Sequence, residues 1–133
     1  MAIKEESVTE QKNSLAVCLD NILRHAGITR NTEYDLAQGK TATTILSENM
    51  TGVQVLDLSG CTLDAVLYYV NQDIPVLAIL EDGEAVLVTG FNEFNVVIME
   101  PSTGKLYKKG MNDATAWFAE NGNHFITYMR TEN

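Results

Sequence analysis

The chain is poor in the residues that most often announce a chemistry. It has two prolines, two cysteines and two histidines in 133 residues, and its nine Lys and Arg face 18 Asp and Glu, a formal net charge of -9. Two cysteines make no disulfide framework and identify no redox compartment. No Cys-x-x-Cys pair and no glycine-rich loop leading into a helix with a following Lys is present, so zinc and phosphate motifs drop out and no cofactor is expected. The acidic balance repels phosphate backbones and anionic headgroups, which argues against nucleic acid as a partner. Apolar runs such as VLYYV and VVIM fall far short of the roughly 18 residues a spanning helix needs, so no membrane insertion by this segment is expected. The start, MAIKEESVTEQK, lacks a basic region followed by an apolar stretch.

What is present reads as one globular domain. A chain of this length removes roughly two-thirds of its unfolded surface from water, and its hydrophobic residues make up 45% against 20% charged ones, too apolar for a disordered tail. Residues 1–10 read as a flexible acidic segment and residues 11–133 as the single domain. Leu15, Cys18, Leu19, Ile22, Leu23 and Ala26 follow the spacing of one helical face, predicting a helix over 11–26 with Asn13 or Ser14 at its start and Gly27 past its end. Residues 31–50 fit two short helical pieces broken at Gly39, and 53–58 a short strand or loop. A second clear helix, 62–72, has Thr62 as N-cap and Asp64 in its first turn. After Pro75 the period shortens: VLAIL, an Asp82-Gly83 turn, EAVLVTGF, VVIM and KLYK predict an antiparallel meander of about four strands. A helix starting near Asn112 and anchored by Trp117 and Phe118, then a closing strand in HFITYM, complete an α+β domain.

Several side chains invite a chemical reading. The acid pairs Glu5-Glu6 and Glu81-Asp82 fall in the start and in a turn, where carboxylates serve solubility. Cys18 lies mid-face on the first helix, which buries a thiol and raises its pKa. His25 is seven residues on, about 10 Å along the axis, too far to hydrogen-bond it, and reads as a partner of the helix dipole. His124 reads as an edge or turn histidine. Cys61, near the positive end of the second long helix, is the more reactive thiol, with no base supplied by its neighbours. Tyr68 and Tyr69 are adjacent, so at most one faces the core. Lys105, Lys108 and Lys109 form the local basic cluster: a solvated strand and turn, or a contact for an acidic partner.

The order of these elements, with Ile74-Pro75-Val76, then Gly83 through Phe91 (GEAVLVTGF), then Glu100-Pro101 leading to Gly104, resembles the papain-like bacteriocin-processing cysteine peptidases that cut double-glycine leaders, over about residues 11–129. The resemblance implies a papain-like fold, a helical half packed on a twisted antiparallel sheet, and four catalytic positions. The nucleophilic Cys of that family falls on Ser14, thirteen residues before Gly27. The general base His falls on Glu84, the orienting Asp on Glu100, and the oxyanion-hole Gln on Val8, with Gln11 nearby. All four depart from the pattern. A serine facing a solvated carboxylate with a pKa around 4 has no useful base at pH 7, so Ser14 reads as a helix cap. The resemblance therefore implies a catalytically inactive, degenerate member, a peptide or protein recognition or scaffold module of a larger bacterial protein. Two other readings stand beside it: an active cysteine peptidase with a rearranged site using Cys18 or Cys61 with His25 or His124, and an interaction element that shares only the architecture.

Overall fold

The computed structural model describes residues 13–131. The expected reading of residues 1–10, and the Val8 and Gln11 positions, lie outside the described residues. Three helices come first, α1 (Ser14–His25), α2 (Glu33–Ala37) and α3 (Ala42–Asn49), then strand β1 (Val53–Asp57) and helix α4 (Leu63–Val70). Strands β2 (Val76–Ile79), β3 (Ala85–Phe91), β4 (Asn95–Glu100) and β5 (Lys105–Gly110) follow, then α5 (Met111–Glu120) and β6 (His124–Arg130).

Local chemistry explains the boundaries. Asn13, not Ser14, caps α1: its Oδ1 accepts from the amides of Leu15 at 2.7 Å and Ala16 at 3.2 Å. At the other end Gly27 takes φ +88°, its amide donating to Arg24 and that of Ile28 to Leu23, the paired bonds of a left-handed helix stop. Thr62 caps α4 through its hydroxyl, which accepts from the Ala65 amide at 3.3 Å. The Asp82-Gly83 turn closes with Gly83 at φ +89° and the Leu80 amide on the Glu84 carbonyl at 2.7 Å.

One antiparallel sheet carries all six strands in the order β1-β6-β2-β3-β4-β5. The expected meander is β2 to β5. The closing strand β6 slots between β2 and β1, pairing Phe125 with Ala78 and Tyr128 with Val55. Strand alternation sends Leu77, Leu87, Met99, Ile126 and Tyr128 to one face, under α1 and α3. Val76, Val86, Val88, Ile98 and Phe125 go to the other, under α4 and α5. The α+β architecture with an antiparallel sheet stands as expected, with the difference that helices cover both faces. Phe118 is buried, edge-on to Phe125 with ring centroids 5.3 Å apart. Trp117 is only half-buried; Lys109 Nζ sits 4.8 Å above its ring.

Candidate functional site

The start of α1, the start of β3 and the end of β4 meet at one end of the sheet. Ser14 opens α1, and its Oγ accepts a hydrogen bond from the Ala85 amide at 2.9 Å, joining residues 71 apart in the chain. Its hydroxyl is thus a tie between helix and sheet. Glu84, the residue before Ala85, donates its own amide to Asp82 Oδ1 at 2.9 Å and leaves its side chain exposed. Glu100 follows Met99, which pairs with Leu87 across β3 and β4. Its Oε2 accepts from Ser102 Oγ at 2.8 Å while its carbonyl accepts from the Gly104 amide at 2.7 Å. The carboxylate therefore fixes the turn into β5, and Glu84 has no N–H on its side chain that such a carboxylate could orient. The structure brings Ser14 against the backbone beside Glu84 and sets Glu100 at the same end of the sheet. The Ser14 hydroxyl is hydrogen-bonded to neither carboxylate and to neither histidine.

Both histidines are engaged elsewhere. His25 Nε2 lies 2.9 Å from the Asp73 carbonyl oxygen and 3.5 Å from its carboxylate. A carbonyl only accepts, so this nitrogen carries the proton. His25 lies in the last turn of α1, where a partner of the helix dipole is expected, and its ring also reaches a loop residue 48 positions away that holds φ +67°. His124 begins β6, an interior strand, so of the edge-or-turn reading only the turn applies; it pairs with Ile79. There its charge helps the Ser59 hydroxyl and amide to hold the Asp57 carboxyl below its usual value.

The two thiols are free, and neither is hydrogen-bonded to a histidine. Cys18 is 0% exposed, and burial, aided by the Glu100 carboxylate, pushes its thiol from 9.0 up to about 12. At pH 7 the thiolate fraction is then on the order of 10⁻⁵. Cys61 is half-buried just before the Thr62 cap, its amide donating to Leu58 at 3.0 Å. Among the described residues no cluster of three or more His, Cys, Asp or Glu is placed to hold a metal ion, and no helix is long and apolar enough to cross a membrane.

Two features escaped the sequence. A groove of about 360 Å³ runs between the C-terminal half of α1 and β3 to β5, floored by Leu87, Met99 and Leu106 and rimmed by Asn21, His25 and Asp73. Its floor was legible as strand alternation, but its wall depends on how α1 crosses the sheet. The second is a buried polar contact: Asp20 Oδ1 accepts from the Thr32 amide and hydroxyl, both at 2.8 Å, tying α1 to the chain entering α2. An aspartate beside the apolar stripe of a helix was the available signal.

The architecture has a counterpart among solved structures. A crystal structure from Bacillus anthracis described as a C39-like peptidase superposes with a TM-score of 0.75, covering 92% of this chain and 90% of that one at 14% sequence identity. The chain has the fold of a C39-like peptidase. No protein-family model matches it, and no curated protein does.

Proposed function

We infer that this is a peptidase-like domain that has lost peptide cleavage and serves as a peptide or protein recognition or scaffold module within a larger bacterial protein. The observation that supports the reading is the Ser14 contact, its hydroxyl accepting from the Ala85 amide at 2.9 Å, taken with the residue types at the positions the resemblance implies, a serine for the nucleophile and Glu84 for the imidazole. Peptide hydrolysis needs a nucleophile activated by a base and a proton donor for the leaving amine. Ser14 with Glu84 supplies neither at neutral pH. The groove along α1, apolar below and polar at its rim, supports binding over a purely architectural likeness.

The test is mass spectrometry of peptides in which a double-glycine leader is followed by further residues, incubated with the full chain and with Ser14→Ala, Glu84→Gln, Glu100→Gln and Cys61→Ala. No product is expected from any. Ser14→Ala should instead lower unfolding stability by about 1 kcal/mol, because the Ala85 amide loses its acceptor. Turnover that Ser14→Ala, Glu84→Gln or Glu100→Gln removes contradicts the reading, and turnover that Cys61→Ala removes replaces it with a rearranged cysteine hydrolase.

A further inference from the structure

We propose that the outer edge of β5 is a docking strand for an extended, acidic segment of a partner protein, which adds to the sheet as a seventh strand. β5 ends the strand order and pairs only with β4, so its outward amides and carbonyls have no strand opposite them among the described residues. Residues 105–108 are all exposed, Leu106 at 62% and Tyr107 at 39%. An edge of this kind templates pairing with another chain unless something blunts it.

Charge selects the partner. Three of the nine Lys and Arg of the chain stand within this one strand of a protein whose net charge is -9. Lys105 and Lys108 make no ion pair with any described residue. Glu100, opposite Lys105 in the register, has its carboxylate on Ser102. Lys109 is steadied over Trp117. Lysines on an edge also deter self-association, and here they would do both, refusing another basic strand while accepting an acidic one.

The register defines the complement. Leu106 and Lys108 pair with Met99 and Val97 and so lie on the α1 face, where Leu106 also floors the groove. Lys105, Tyr107 and Lys109 lie on the other. Opposed residues of antiparallel strands share a face, so an antiparallel partner reads, from its own N-terminus, acid, acid, apolar, apolar, acid against Lys109, Lys108, Tyr107, Leu106 and Lys105. This deepens the recognition reading and rests on it for its biological sense, but not on the state of Ser14 or Glu84.

The probe is acetyl-Thr-Glu-Glu-Val-Val-Glu-Thr-amide, titrated to about 1 mM into the ¹⁵N-labelled full chain at 150 mM salt. Amide shifts confined to β5 and its neighbours in β4 are expected, with hydrogen exchange slowed at the outward β5 amides. Charge reversal at the two unpaired, exposed lysines, Lys105→Glu with Lys108→Glu, should weaken binding about tenfold, because like charges directly opposed in a ladder repel. A peptide with lysines in place of the glutamates should restore it. No shift up to 1 mM, shifts elsewhere, or equal binding of a same-composition peptide with both valines moved to its ends overturns the proposal. Cleavage of the probe, seen as new masses, would overturn the inactive reading and leave the docking edge standing.

Discussion

Raising the pH from 8 to 10.5 should strip about 2 kcal/mol from the unfolding free energy through Cys18 alone, and the loss reaches about 4 kcal/mol by pH 12. The thiol is raised in the folded chain, from 9.0 to about 12, by burial between α1 and the sheet and by the Glu100 carboxylate. Above pH 9 the unfolded chain gives up this proton while the folded one keeps it. The stability is therefore whole below the unfolded value and is lost as pH rises toward the folded one. Tyr107 and Tyr128, also raised by burial, add to the alkaline slope. Cys18→Ala isolates the thiol: it starts less stable, having lost a buried sulfur, but its urea-unfolding free energy should fall by about 2 kcal/mol less between pH 8 and 10.5. Equal slopes in both proteins would mean that Cys18 ionises as readily folded as unfolded.

Asp20→Ala should cost about 1–3 kcal/mol. Thr32 is 0% exposed and its amide donates to Asp20 Oδ1 at 2.8 Å. Its hydroxyl, which has one proton to give, lies 2.8 Å from the same oxygen and 3.2 Å from the Ala16 carbonyl. Removing the carboxylate lets the hydroxyl turn to Ala16, but the amide is left buried and unpaired, which carries its desolvation cost in full. Asp20→Asn keeps an oxygen there and should recover more than half of the loss. Urea unfolding at pH 7 decides it, and equal losses for the two variants would assign the effect to charge rather than to the amide.

How far the sequence reached follows from the range of each interaction. The apolar stripe of α1, its Gly27 stop, the Thr62 cap and the Asp82-Gly83 turn are settled within a few residues, and the sequence reading located all of them. Reading Ser14 as the cap was wrong, Asn13 holding that place, because both side chains suit the position and the choice turns on Ala85, 71 residues from Ser14. The link of His25 to Asp73 and the seating of β6 between β1 and β2 are equally long-range. Trp117 and Phe118 are neighbours on one helix, so burying one fully leaves the other at the rim, under Lys109. The alignment of Ser14 with the start of β3 was visible only through the resemblance. Composition and spacing gave no reason to set those two segments together.

The claim that no activated nucleophile survives in this fold is tested most directly by the rate of iodoacetamide alkylation at each cysteine of the folded full chain from pH 5 to 9, resolved by peptide mapping. Cys18 should stay unmodified until the chain is unfolded, being buried and held as the thiol. Cys61 should react more slowly than a thiol paired with an imidazole, since no histidine is hydrogen-bonded to it. A thiol that alkylates fast and without pH dependence below pH 7 would show a stabilised thiolate, and the domain would then be a hydrolase with a relocated site.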